Sequence, residues 1–66
     1  TIKEAREKAG LSQVQLATAI GKSRQQICNW ESGLRNPKLE SLKLIAKACN
    51  ISISELFDSY QKNYPN

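Results

Sequence analysis

Side chains that can read nucleic-acid bases are grouped along one predicted helix in the first half of the chain. At helical spacing, one stripe of that helix carries Arg24, Gln25, Cys28, Asn29 and Ser32. Arginine pairs with guanine, and glutamine or asparagine pairs with adenine, in each case through two hydrogen bonds. The Cys28 side chain could contact a thymine methyl group or lie exposed without a partner. We therefore predict base contacts from Arg24, Gln25, Asn29 and Cys28, with a plain solvated surface as the alternative.

Two short helices joined by a tight turn must hold this stripe. Ser12 and Ser23 are each followed three residues later by a glutamine, Gln15 and Gln26, which is the pattern of a capping box at a helix start. Gly21 follows the last apolar residue of the first helix, where glycine can adopt the left-handed conformation that ends a helix. The pattern predicts one helix between Ser12 and Gly21 and a second that begins after Ser23.

The apolar residues of these two helices predict how they pack. The first helix has an inward face of Leu16, Ala17 and Ile20, and the second has an inward face of Ile27 and Trp30. Ala17 is small at the place where the helices must cross closely. We predict Trp30 in the core rather than stacked on a base, with its indole N–H in need of a partner. With these faces buried, the stripe of candidate base contacts points outward. We call it the base-reading stripe, and it consists of Arg24, Gln25, Cys28, Asn29 and Ser32.

A fourth helix is predicted after the loop that follows this pair. Pro37 cannot continue a helix but starts one well, and Asn36 is a candidate cap. The helix is predicted over residues 38–49. Its buried stripe is expected to hold Leu39, Leu42, Ile45, Ala46 and Cys49.

The two ends of the chain complete the predicted domain. A helix over residues 2–9 comes first, and Ser52 caps a last short helix. The buried face of the first helix is expected to hold Ile2, Ala5 and Ala9. After the last helix the sequence becomes polar without an apolar period. We therefore predict one domain over residues 1–58 and a polar tail over residues 59–66.

Composition and residue content argue against several functional classes. The 66 residues carry a formal net charge of +4 at pH 7, which suits an anionic partner. There is no histidine, and the two cysteines, Cys28 and Cys49, lie far apart in the sequence, so we expect no metal site and no cofactor. Cys28 falls on the outward stripe and Cys49 on an apolar one, so we expect no disulfide. The sequence has no paired carboxylates and no glycine-rich phosphate loop, so we do not expect an enzyme. No segment is typical of a membrane span or a signal peptide.

The helix pair resembles the helix-turn-helix of the Cro/repressor-like family of phage and bacterial transcription regulators. The matching residues are Gln13, Leu16, Ala17, Gly21, Ile27, Trp30, Glu31 and Gly33. The resemblance continues through Asn36, Pro37, Leu39, Leu42, Ala46 and residues 51–57. It implies an all-α fold, a compact five-helix bundle in which the second and third helices form the helix-turn-helix of a phage-repressor-like DNA-binding domain.

The resemblance also implies roles for individual residues. It implies an ion pair between Arg6 and Glu31 that ties the first helix to the third, with two separate solvated charges as the alternative. It supports phosphate contact at the start of the second helix and in the loop after the third. The expected phosphate contacts are Gln13, Lys22, Ser23, Arg35, Asn36 and Lys38.

These features predict a sequence-specific regulator of transcription, expected to be a repressor, that binds double-stranded DNA in the bacterial cytoplasm at the nucleoid. It is expected to act as a homodimer on a near-palindromic operator, with Ile53, Phe57 and Tyr60 as the predicted dimer interface. The alternative is a protein-interaction module, such as the antitoxin of a toxin pair. The first residue is Thr1 rather than methionine, which leaves open an arm before it.

Overall fold

The computed structural model of the protein describes residues 1–56, which form helices and connecting turns. The helices within this range are α1 (Ile2–Lys8), α2 (Gln13–Ile20), α3 (Arg24–Ser32) and α4 (Leu39–Ala48). Residues 53–56 are helical and begin a fifth helix, α5. The predicted all-α fold with five helices is therefore confirmed. The predicted boundary at residue 58 and the tail over residues 59–66 lie outside the described residues.

Both helices of the central pair begin where the capping pattern predicts. Ser12 Oγ accepts a hydrogen bond from the Gln15 N–H at 3.0 Å, and the Gln15 side chain accepts one from the Ser12 N–H at 2.8 Å. Ser23 and Gln26 repeat this arrangement at the start of α3, at 3.2 and 3.0 Å. Each box satisfies donors that a helix start would otherwise leave unpaired. Both predicted starts are confirmed.

The turn between α2 and α3 depends on Gly21, which has a left-handed backbone with a φ of 70°. The Lys22 N–H donates to the Ala17 carbonyl at 2.9 Å, and the Gly21 N–H donates to the Thr18 carbonyl at 3.4 Å. This pair of bonds is the Schellman arrangement, which satisfies carbonyls at the end of a helix. The chain is thereby redirected at once, and α3 starts three residues after Gly21.

One apolar core joins the helices. Its most deeply buried side chains are at most 1% exposed and come from four different helices: Leu16, Ile27, Ile45 and Leu56. Helix α2 packs on both α3 and α4, and α1 packs on α3. Trp30 is half-buried and packs against this core, in agreement with the prediction. The helix with the base-reading stripe is therefore supported by two neighbouring helices.

Three predicted details at helix ends are wrong. Leu39 was predicted in the buried stripe of α4 but is 55% exposed. It is the first residue of α4, and periodicity gives the face of a residue without telling how far the core extends along the helix. The N-cap of α4 is Lys38 rather than Asn36, and it makes no side-chain cap bond. Ala9 is exposed because α1 ends at Lys8.

Helix α4 leads through a turn at Asn50 into α5, which Ser52 caps as predicted. Asn50 has a left-handed backbone with a φ of 58°, a conformation that asparagine tolerates better than most residues. Ser52 Oγ accepts a hydrogen bond from the Glu55 N–H at 3.1 Å. This bond caps α5 and allows Leu56 to reach the core.

Candidate nucleic-acid interface

Helix α3 buries one face and leaves the base-reading stripe uncovered by the core. Ile27 is fully buried, and its position fixes the inward face of the helix. On the remaining faces, Arg24 and Gln25 are exposed, and Cys28 and Asn29 are half-buried. None of the four predicted base-contact residues is buried in the core. Their contact with bases stays a prediction.

Two residues of the stripe are joined to each other. The Gln25 Nε2 atom donates a hydrogen bond to Asn29 Oδ1 at 3.0 Å. Residues four apart are neighbours on a helix surface, where such amide pairs stabilise the helix slightly. The spacing places these two residues side by side, but the bond between them depends on their side-chain rotamers and was not predicted.

A buried charged network fixes α3 against α1 and α2. Arg6 Nε donates to Glu31 Oε2 at 2.7 Å, and Arg6 Nη2 donates to Glu31 Oε1 at 3.2 Å. The two side chains are only 10% and 7% exposed. Arg6 Nη1 donates to the Leu11 carbonyl at 2.8 Å, and Gln13 Nε2 donates to Glu31 Oε1 at 3.1 Å. A carboxylate near the end of α3 is thus held from α1 and from the start of α2.

This network keeps both charged groups ionised. Burial raises the pKa of the Glu31 carboxyl, but the hydrogen bonds from Arg6 and Gln13 and the charge of Arg6 together outweigh it. The net result is a pKa below its usual value of 4.5. The hydrogen bond to Glu31 raises the pKa of Arg6 in spite of burial. Because either charge would be costly to bury alone, the pair acts as one structural unit.

The start of α2 offers hydrogen-bond donors beside this network. Gln13 is half-buried, and one hydrogen of its side-chain nitrogen is directed to Glu31. The second hydrogen of that nitrogen is not used in this bond. The backbone N–H groups of Gln13 and Val14 have no acceptor within residues 1–56. Donors at a helix start suit a phosphate, and phosphate contact by Gln13 stays a prediction.

Ser23 differs from Gln13 because its donors are already bound. Its backbone N–H donates to Gln26 Oε1 at 3.0 Å, and its hydroxyl donates to the same atom at 3.3 Å. The capping box therefore uses both donors of Ser23 in the free protein. The predicted phosphate contact of Ser23 would have to compete with these bonds. The neighbouring Lys22 is exposed.

The loop after α3 carries the other candidates for phosphate contact. Arg35, Asn36 and Lys38 are all exposed. The Arg35 backbone N–H donates to the Asn29 carbonyl at 3.2 Å, so the loop folds back against the last turn of α3. Gly33 allows this reversal with a left-handed φ of 82°. Arg35 is thereby tied to the helix that carries the base-reading stripe.

The same loop contains an apolar residue that our prediction did not consider. Leu34 is 73% exposed, more than any other large apolar side chain in residues 1–56. It lies directly before Arg35, at the edge of the candidate interface. The signal available in the sequence was one apolar residue within an otherwise polar loop. A side chain of this kind could contact a thymine methyl group.

The predicted dimer interface lies only partly within the described residues. Ile53 is half-buried and packs against the core, so part of its side chain is already used within the chain. Phe57 and Tyr60 lie outside the described residues. The interface therefore stays a prediction.

The part of the chain that the structure describes shows neither a metal-binding cluster nor a disulfide. Residues 1–56 contain no group of three or more His, Cys, Asp or Glu that could hold a metal ion. Cys28 and Cys49 are free thiols, and burial raises the pKa of the Cys49 thiol. The helices of this region are too short or too polar to cross a lipid bilayer.

Comparison with known proteins finds relatives over nearly the whole described region. A family model described as helix-turn-helix matches residues 2–56. The HTH-type transcriptional activator BcrR of Enterococcus faecalis is 42% identical over 55 residues, which are 83% of this chain but 27% of BcrR. An uncharacterized HTH-type transcriptional regulator of Archaeoglobus fulgidus is 39% identical over 56 residues, which are 85% of this chain and 80% of that protein. No solved structure gives a significant match.

Proposed function

The chain belongs to the helix-turn-helix family of DNA-binding transcription regulators, and we propose that it reads double-stranded DNA with the exposed stripe of α3. Proteins of this family are not typically enzymes. In this mode α3 lies in the major groove, with residues near its N-terminus at the base edges. The observation that carries the proposal is that Arg24 and Gln25 are exposed at that end of α3 while Ile27 is fully buried.

The way in which α3 is held supports this role. Its start is fixed by the capping box at Ser23, and its last turns are fixed by the bonds that Glu31 accepts from Arg6 and Gln13. A recognition helix that is already ordered loses less conformational entropy when it binds. Free energy gained from base contacts is then not spent on ordering the helix.

Phosphate contacts would set the position of α3 on the duplex. We assign them to the backbone and side chain of Gln13 and to the exposed residues of the two flanking loops: Lys22, Arg35, Asn36 and Lys38. Ser23 joins them only if its capping bonds open. Contacts of this kind add affinity without sequence preference, and they make binding depend strongly on salt.

We further propose that the protein acts as a homodimer on a near-palindromic operator, in the bacterial cytoplasm, and represses by covering a promoter. Two recognition helices of a dimer enter successive major grooves about 34 Å apart, a spacing that is drawn from phage repressors of this kind. The name of BcrR describes an activator, but this chain spans 27% of that protein. Activation through contact with polymerase is therefore the alternative outcome. The antitoxin alternative has no specific support in residues 1–56.

Selection of bound sites from a pool of random duplexes tests the proposal. The wild-type protein is expected to enrich one motif with two-fold symmetry, because two copies of α3 read the two halves. A variant that replaces Arg24, Gln25 and Asn29 with alanine is the matched control. It should fold and keep salt-dependent binding but enrich no motif, since only its base-reading groups are lost.

Two results would contradict the proposal. The first is the absence of any enriched motif with the folded wild-type protein, which would remove sequence-specific binding altogether. The second is an unchanged motif with the triple variant, which would place the reading surface elsewhere. A single half-site without symmetry would contradict the homodimer and leave the reading by α3 in place.

A further inference from the structure

The hydrogen bond between Gln25 and Asn29 has a consequence for how sequence is read. The Gln25 Nε2 atom lies 3.0 Å from Asn29 Oδ1, and we propose that these two side chains read neighbouring base pairs as one coupled unit. This inference rests on the proposed function of α3. It adds that two of the reading groups act together and not independently.

The chemistry of the joined amides differs from that of separate ones. A single glutamine or asparagine reads adenine with both ends of its amide, because the oxygen accepts from N6 and the nitrogen donates to N7. In the joined pair, the nitrogen of Gln25 and the oxygen of Asn29 are directed at each other. The ends turned away from the bond are Gln25 Oε1, an acceptor, and Asn29 Nδ2, a donor.

Each residue presents one outward polar group whichever way the bond between the two amides runs. If the oxygen and nitrogen of both amides are exchanged, Asn29 donates and Gln25 accepts. The pair then presents an outward donor from Gln25 and an outward acceptor from Asn29. In either arrangement, each residue contributes one outward group, and the two groups are connected through the shared bond.

The spacing of the pair matches adjacent base pairs better than one base. The backbones of residues four apart on a helix are separated by about 6 Å along its axis, but the hydrogen bond brings the two amide groups together, with Gln25 Nε2 and Asn29 Oδ1 3.0 Å apart. Adjacent base pairs are separated by about 3.4 Å along the duplex axis. Within residues 1–56 neither carboxamide has a second side-chain partner, so both outward ends are open to bases.

Coupling follows because the two amides share a hydrogen bond. A base change that moves one amide weakens or breaks the bond and so changes the position of the other. The cost of changing both base pairs together is then different from the combined cost of changing each alone. Groups joined by one network commonly show such non-additive effects.

Binding to a full set of duplexes tests the proposal. The set contains every combination of bases at the two adjacent pairs that the selected operator places against Gln25 and Asn29. For the wild-type protein, the Kd of doubly changed duplexes should differ by about threefold or more from the value expected for independent positions. For Gln25→Ala and Asn29→Ala the two positions should become independent.

A double-mutant cycle provides the second measurement. The loss of affinity in Gln25→Ala/Asn29→Ala should be smaller by about threefold or more than the product of the two single losses. The matched control combines Arg24→Ala with Asn29→Ala, which are on the same stripe but share no bond. In this control, the loss of affinity in the double variant should equal the product of the two single losses. The substituted residues are exposed or half-buried, so all variants should retain nearly the wild-type melting temperature.

The outcomes separate this proposal from the proposed function. Independent base positions in the wild type, together with multiplying losses in Gln25→Ala/Asn29→Ala, would overturn the coupled reading while leaving α3 as the reading helix. No preference of the wild type for any duplex in the set would likewise overturn the coupled reading, whereas the absence of any enriched motif in the selection from random duplexes would overturn the proposed function itself.

Discussion

Arg24 is the residue from which we expect the strongest base preference. Its planar guanidinium can donate two hydrogen bonds to guanine, and it is exposed at the first position of α3. Arg24→Ala should lose about 1–3 kcal/mol of binding free energy at the selected operator and relax the preference at one base pair. Titration of the operator and its single-base variants measures both effects.

Arg24→Lys is the matched control, because it keeps the charge but cannot form the bidentate pair of hydrogen bonds that a guanidinium forms. It should keep the salt dependence and lose most of the preference for guanine. A uniform weakening of all duplexes by Arg24→Ala would show instead that Arg24 contacts phosphate.

Arg35 should behave in the opposite way. It is exposed in the loop that folds back on Asn29, and we assign it to phosphate. Arg35→Ala should weaken binding to all sequences alike and reduce the slope of log K against log salt by about 1. Lys8→Ala, which removes the same charge beside the α4–α5 turn, should leave the slope nearly unchanged. A changed base preference at an unchanged slope would contradict the assignment.

Single residues show where prediction from the sequence succeeds and where it stops. The inward position of Ile27 followed from helical period, and with it the outward position of Gln25, while Arg24 is exposed at the first position of α3. The bond between Gln25 and Asn29 depends on side-chain rotamers, which the period does not determine. For Leu39 the helical period correctly predicted the side of α4 on which the residue lies, but its exposure depends on how far the core extends along the helix.

At the scale of the helices, the turn between α2 and α3 depends on one backbone conformation. Gly21 has a φ of 70°, and a Cβ placed there would meet nothing within 4 Å. The cost of a side chain therefore comes from the backbone alone. Gly21→Ala should lower the free energy of unfolding by about 1–2 kcal/mol. Urea unfolding in the absence of DNA measures this.

Gly21→Asn is the control for this prediction. Asparagine adopts the left-handed conformation more readily than alanine, so it should cost less. Equal stability of the wild type and Gly21→Ala would show that the turn does not need the left-handed conformation.

The helix boundaries were predictable where the signal is local. The first turns of α2 and α3 are capped by Ser12 and Ser23 together with the glutamines three residues later. Every residue of each capping box is therefore visible in the local sequence pattern. The cap of α4 was predicted wrongly, since it is Lys38 and not Asn36. Pro37 is buried there, and the path of the chain depends on packing that a local pattern does not contain.

At the scale of the whole molecule, the network around Glu31 connects three helices. The family resemblance implied the contact between Arg6 and Glu31, and the two side chains are joined by two hydrogen bonds. The contribution of Gln13 was not predicted, because it depends on how α2 lies against α3. The network links a residue assigned to phosphate contact with the base-reading helix.

Removal of one charge from this network should destabilise the fold. Glu31→Gln leaves the charge of Arg6 buried without its partner, and we expect a loss of about 3–5 kcal/mol in the free energy of unfolding near neutral pH. Glu7→Gln, on the exposed side of α1, is the control and should change stability by less than about 0.5 kcal/mol.

The difference between wild type and Glu31→Gln should also depend on pH. The pKa of Glu31 is lowered in the folded protein, so its contribution is fully present above the usual value of 4.5. It is lost as the pH falls through the lower pKa of the folded state. Unfolding curves at pH 7 and pH 3 should therefore show a smaller difference at pH 3. A constant or growing difference on acidification would contradict the role of the ionised carboxyl.

The central claim is that the outward stripe of α3 contacts DNA bases. Chemical-shift mapping of the isotope-labelled protein during titration with the selected duplex tests it most directly, because the side-chain amide signals of Gln25 and Asn29 report on their own contacts. The largest changes are expected at these amides and along α3, with further changes at Gln13 and Arg35. Unchanged signals on α3 with large changes confined to α1 or α4 would contradict it.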